Sequence, residues 1–238
     1  MAVNYNTSIV TNGLVLALDA ANIKSYPGTG TTWTDLSGNG NNGTLTNGPT
    51  YSSANGGSIV FDGANDYVDC GASNSLNFTS SFSVSFWMSN SIGSTYEYYV
   101  NRWTYQNGSY RQWSFDNTAL GVPSADTIGF RISSDGTDAG LTSIFSTNSS
   151  YSSGWHHITG TWDGSLMNLY VDSVLVAGPT SKTSMVSTAG QKTLIGGGNQ
   201  GTSFPMSGNI SEVLIYKRAL SAAEVSQNFN ALRGRYGV

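Results

Sequence analysis

The stretch Trp155–Ala177, WHHITGTWDGSLMNLYVDSVLVA, decides how the rest of the chain is read. It runs as strand, tight turn, strand, tight turn, strand. Side chains alternate along a strand, so Trp155, His157, Thr159 and Thr161 point to one face and His156, Ile158 and Trp162 to the other. Asp163-Gly164 reads as a two-residue turn, since Asp-Gly accepts the positive φ angles such turns need. Leu166 to Val171 returns, Asp172-Ser173 turns again, and Val174 to Val176 closes a three-stranded meander. The expectation is an antiparallel sheet with this meander in its middle.

The composition limits what that sheet belongs to. At 238 residues the chain is long enough for one large β sandwich with a real core. Charged residues make up only 10%, against about a quarter in ordinary soluble domains, so Ser, Thr, Asn and Gly must cover the surface. A net charge of −4 with ten scattered Lys and Arg excludes a nucleic-acid backbone as partner. The lone Cys70 excludes an internal disulfide and reads as a small buried apolar residue. No apolar run reaches the length of a membrane span, and MAVNYNTSIVTNG lacks the basic and apolar regions of a secretory leader.

Working outward, Gly13–Asn22 (GLVLALDAAN) has strand length and ends at Asp and Asn. The Gly- and Asn-rich loop that follows places Asp35, Ser37, Asn39 and Asn41 at alternate positions, with Gly40 before the last. Oxygen ligands alternate in this way in the first half of a calcium loop, but position twelve is Thr46 where a bidentate Glu is needed. The loop is therefore either a structural turn or a weak Ca²⁺ site built on Asp35, Asn39 and Asn41. Ser58–Gly71 (SIVFDGANDYVDCG) gives two short strands, and its carboxylates Asp62, Asp66 and Asp69 read as turn stabilisers ahead of metal ligands. Phe82–Met88 alternates cleanly as a strand.

The most aromatic stretch is Tyr96–Phe115, YEYYVNRWTYQNGSYRQWSF. Two strand-like runs, Tyr96–Val100 and Arg111–Phe115, flank a loop carrying Arg102, Trp103, Tyr105, Asn107 and Tyr110. Rings cover the apolar face of a pyranose while planar polar groups take its hydroxyls, so these five are the candidate glycan or partner surface. The alternative is that the rings fill the core or a subunit contact. Thr127–Ser133 and Gly208–Tyr216 are further strands. Ser221–Leu232 is the one convincing helix, with a capping box of Ser221 and Glu224 and an apolar face of Val225, Phe229 and Leu232. Ten or more short strands followed by a terminal helix predict an all-β, two-sheet antiparallel sandwich, with residues 1–12 as an N-terminal arm and 13–238 as one domain.

Taken in order, GLVLALDAAN, W-x-DLSGNGNNGTL, SIVFDGANDYVDCG, FSVSFWM, GWHHITGTWDGSLMNLYVDSVLV and GNISEVLIYKRALSAAEVSQNFNAL resemble the concanavalin A-like lectin/glucanase superfamily, and within it the laminin G-like jelly rolls. The resemblance runs from about Gly13 to Leu232. It implies two curved sheets packed face to face, with first and last strands adjacent and the helix beside them. The start at Met without a leader is also similar to structural proteins of tailed phages, cyanophages especially.

The glucanase branch works with a strand-borne Glu-x-Asp-x-x-Glu cluster, because one carboxyl must act as acid and the other as nucleophile or base. The only glutamates here are Glu97, Glu212 and Glu224, and none heads such a cluster. Many laminin G-like domains bind Ca²⁺ at the rim through an Asp in the last strand; that position is Ser211 here. His156 and His157 face opposite ways and cannot share a site without a bulge, so they read as packing residues. The expectation is a non-enzymatic virion protein, a decoration or fibre component on the particle surface. Its candidate partners are other virion proteins, a second copy of itself and host-surface glycans, with Ca²⁺ the one candidate cofactor. A dedicated lectin is the alternative, and a glycan-cleaving enzyme the remote one.

Overall fold

The computed structural model describes residues 8–90, 96–104, 110–117, 127–146, 151, 153–198 and 203–238. In chain order its strands are β1 (Leu14–Asp19), β2 (Thr32–Trp33), β3 (Gly43–Thr46), β4 (Thr50–Ser52), β5 (Ser58–Asp62), β6 (Tyr67–Asp69), β7 (Phe82–Asn90) and β8 (Tyr98–Thr104). They continue with β9 (Tyr110–Asn117), β10 (Ile128–Ser133), β11 (Leu141–Phe145), β12 (Trp155–Trp162), β13 (Leu166–Val171), β14 (Val174–Ser181), β15 (Leu194–Ile195) and β16 (Ser207–Tyr216), before helix α1 (Ala222–Tyr236). One sheet has the order β14-β13-β12-β7-β16-β5-β4, with β1 also paired to β16; the other runs β11-β10-β9-β8-β15-β6-β3-β2. The two form an antiparallel jelly-roll sandwich, as expected.

The core lies where the sheets face each other. Phe82 and Phe86 of β7 meet Trp113 and Phe115 of β9, with ring centroids 5.6 and 5.4 Å apart. Gly160 makes this approach possible, since a Cβ there would come within 2.3 Å of the Phe115 ring. The opposite face of the first sheet is buried too, beneath α1. His157 Nε2 lies 2.7 Å from Ser85 Oγ there, and Trp87 stacks on Phe229 and Tyr236 of the helix at 5.7 and 4.2 Å.

The meander forms, with two differences from its sequence reading. Asp172 and Ser173 have φ angles of +50° and +66°, the geometry of a tight two-residue hairpin turn. The Asp163 connection is one residue longer than expected, because Asp163 Oδ1 accepts from the backbone N–H of both Ser165 and Leu166 and closes a wider loop. The meander also reaches the border of its sheet, where β14 is the edge strand, and does not lie in the middle. The middle belongs to β7 and β16.

The first and last strands pair, as the resemblance implied. Residues ahead of β1 join them: Val10 N donates to Asn228 Oδ1 of α1 at 2.8 Å, and Val10 O accepts from the Tyr216 hydroxyl at 2.9 Å. The capping box is present, with Arg218 bonded to both oxygens of Glu224 at 2.9 and 2.6 Å. The helix runs past Leu232 to Tyr236, because Gly237 adopts the left-handed cap only there (φ +74°) and Arg235 anchors the last turn to Asp19. Among the described residues no helix is long and apolar enough to cross a membrane.

Candidate functional site

Of the expected glycan residues, the two whose side chains are described, Arg102 and Trp103, do not form an exposed surface. Arg102 and Trp103 belong to β8, not to a loop, because the strand continues through them to Thr104. Arg102 is fully buried, with its guanidinium donating to Thr188 O at 3.1 Å and contacting the Thr188 and Thr193 hydroxyls. Burial among neutral partners pulls its pKa down to about 10. Trp103 is buried as well, with the Arg111 guanidinium 5.6 Å from its ring. Both are packing residues, which corrects their assignment to the ligand surface. Tyr105 and Asn107 lie outside the described residues, as does the side chain of Tyr110.

Of the two readings of the Asp35 loop, the structural turn is the one its hydrogen bonds build. Asp35 Oδ1 accepts from the backbone of Ala17 and Ser37, both at 2.9 Å. Its Oδ2 accepts from Ser37 Oγ at 2.8 Å and the Asn41 backbone at 3.0 Å. A carboxylate has about four lone-pair positions, and here four donors occupy them. Asn41 Nδ2 donates to Val15 O at 2.7 Å, and Asn39 Nδ2 to Ser37 Oγ at 3.0 Å. The alternating oxygens therefore build a turn that pins the loop to β1. Ser211 donates to Gly57 O at 2.6 Å inside the protein, and no group of three or more potential ligands gathers among the described residues. Asp62, Asp66 and Asp69 cap local turns through the amides of Ala64, Asp62 and Gly71.

The structure instead assembles an aromatic groove of about 410 Å³ from Gly63, Tyr96, Phe204 and Pro205. Tyr96 precedes β8 and Phe204 precedes β16; their half-buried rings meet edge to face with centroids 4.5 Å apart. Tyr98, fully buried behind them, touches both at 5.4 and 5.6 Å, and its backbone N–H donates to Phe204 O at 3.0 Å. Phe204 holds φ at +54°, a left-handed conformation that costs a bulky residue roughly 1–2 kcal/mol and persists only where neighbours enforce it.

A charged network holds the Tyr96 side chain of this groove. Asp116 is buried and accepts from Arg131 Nε at 2.9 Å, from Ser114 Oγ at 2.8 Å and from the Tyr96 hydroxyl. Burial pushes its pKa up to about 6, against the pull of Arg131. The Arg131 guanidinium lies 5.9 Å from the Tyr96 ring and 5.1 Å from that of Phe145. Gly129 leaves room for this, since a Cβ there would stand 3.0 Å from both Asp116 and Phe145. Tyr96 was visible in sequence as the first residue of the aromatic stretch. Phe204 and Pro205 were missed; an aromatic-proline pair inside a glycine-rich segment was the available signal.

The fold is thus a two-sheet jelly roll with an aromatic groove at the ends of its strands. The chain belongs to the concanavalin A-like lectin/glucanases superfamily, whose laminin G type 3 family matches residues 62–226, more than half of the chain. No curated protein matches it by sequence. Among solved structures, the binding domain of Paraclostridial Mosquitocidal Protein 1 is similar with a TM-score of 0.68 at 21% identity, over 93% of this chain and 52% of that one. Domain 4 of AbnA, an extracellular arabinanase from Geobacillus stearothermophilus solved in complex with arabinotriose, has a TM-score of 0.68 at 15% identity, over 90% and 97%. The ligand binding domain of botulinum neurotoxin serotype D, in complex with N-acetylneuraminic acid, has a TM-score of 0.68 at 15% identity, over 92% and 51%. This chain spans about half the length of the two toxin chains, and at these identities the likeness is one of fold.

Proposed function

We propose that this chain is a glycan-binding module that stacks a sugar ring in the Tyr96–Phe204 groove. The carrying observation is the preorganised aromatic corner: two half-exposed rings, one on a strained backbone, braced from behind by Tyr98, Asp116 and Arg131. Such rings offer the apolar surface that a pyranose face needs. Two of the similar structures hold saccharides, which agrees with this reading. The role is binding and not cleavage. Glycosidic hydrolysis needs two carboxyls flanking the bond, and the groove's lining of Gly63, Tyr96, Phe204 and Pro205 offers none.

On a glycan array the wild-type chain is expected to bind at least one glycan class, and Tyr96→Ala or Phe204→Ala to weaken it by roughly 10-fold or more, the scale of one lost stacking contact. Absence of binding by the wild type, or equal binding by both variants, contradicts the proposal. The virion setting implied by the resemblance to tailed-phage structural proteins is a separate proposal, since none of the structures named above is a phage protein. Fixed stoichiometry in purified particles supports it, and absence from them removes it.

A further inference from the structure

A second depression, of about 450 Å³, opens at the far end of β6 from Gly63. Asn39, Asn42, Thr44, Asp69, Ser73 and Lys192 line it. Its walls are held by bonds that no ligand needs to make. Asn42 Oδ1 accepts from the Asp35 backbone at 2.9 Å, and Asn41 ties the same turn to Val15. Asp69 Oδ1 accepts from Gly71 N at 2.8 Å, while its Oδ2 takes Lys192 Nζ at 2.5 Å. Thr44 and Asp69 are directly opposed across β3 and β6, so their side chains share one face.

These bonds leave a defined set of groups for a ligand. Lys192 keeps two of its three N–H bonds, Asn42 keeps its NH₂, Thr44 its hydroxyl and Asp69 its remaining lone pairs. Charge then decides the ligand class. Lys192 and Asp69 neutralise each other within the depression, so neither an anion nor a cation meets a net opposite charge. A neutral molecule with adjacent hydroxyls finds donors and acceptors side by side. We infer that this depression is a second ligand site, binding a neutral, hydroxyl-rich saccharide unit through Lys192, Asp69, Asn42 and Thr44. It stands whether or not the aromatic groove binds.

The test is an amide chemical-shift titration of the ¹⁵N-labelled chain with methyl α-D-mannopyranoside, methyl β-D-galactopyranoside and N-acetylneuraminic acid. At least one neutral glycoside is expected to move the amides of 39–44, 69–73 and Lys192 more strongly than the acid does. Lys192→Gln and Thr44→Val are each expected to weaken that binding about 10-fold. Both residues are partly or fully exposed, and an exposed ion pair contributes only about 0–1 kcal/mol, so both variants fold. Tyr96→Ala is expected to leave these shifts in place, which separates this site from the groove. No movement with either neutral glycoside, a larger response to the acid, or unchanged affinity in both variants overturns the inference.

Discussion

Replacing Trp87 by Ala is expected to destabilise the fold by about 3–5 kcal/mol, the range for deleting a buried aromatic, and to loosen α1 from the sheet. Trp87 is fully buried on the outer face of β7. Its ring stacks on Tyr236 at 4.2 Å and on Phe229 at 5.7 Å, and it touches His157 at 5.1 Å. The first two contacts span nearly two turns of the helix, so one side chain carries much of the docking surface. Urea denaturation measures the loss, and hydrogen exchange over Val225–Tyr236 reports the loosening. A loss below about 1 kcal/mol with unchanged helix protection would contradict it.

Glu212→Gln acts in the same layer, but through pH. Glu212 is buried beside Asp19, Arg235 and Tyr236. Burial, reinforced by Asp19 and opposed by Arg235, pushes its pKa from 4.5 up to about 8. The folded state therefore keeps a proton that the unfolded chain releases, and stability falls as pH rises through that window. At about 1.4 kcal/mol per pH unit the loss is on the order of 3–5 kcal/mol. Gln carries no such proton, so the variant gains on the wild type between about pH 5 and pH 8. His157 opposes this from the acid side. Burial pulls its pKa from 6.5 down to about 4, so its contribution is lost as pH falls through that range. Since His157 is present in both proteins, it cancels in the difference. Calorimetry across this range reads the gap, and parallel curves for the two proteins would sink the prediction.

The parts of the fold legible in sequence were those decided by neighbours along the chain. Asp172-Ser173, the Ser221–Glu224 box and the alternation in β7 and β12 announce themselves because turn, cap and strand chemistry act over two to four residues. The candidate site was less legible, because its decisions are made across the sandwich. Nothing near Arg102 says that Thr188 and Thr193 wait to receive its guanidinium. The oxygens around Asp35 alternate visibly in sequence, but one of the four donors that take its lone pairs, the Ala17 amide, comes from β1, far from the loop in the chain. A strand as short as β2 holds no periodicity to detect. Tyr96 and Phe204 meet only because β8 and β16 belong to different sheets whose entry points converge at one rim.

The pairing of β16 has a consequence for how the protein is made. This strand is bordered by β7 on one side and by β5 and β1 on the other, and it follows all three in the chain. A ribosome therefore delivers the keystone of the sheet last, and the earlier strands emerge with their pairing edges open. Helix α1, which must cover Trp87 and His157, is synthesised later still. The sandwich closes only after nearly every strand has left the exit tunnel. Its nascent chain spends translation exposing apolar edges, the condition under which chaperone dependence and aggregation are greatest.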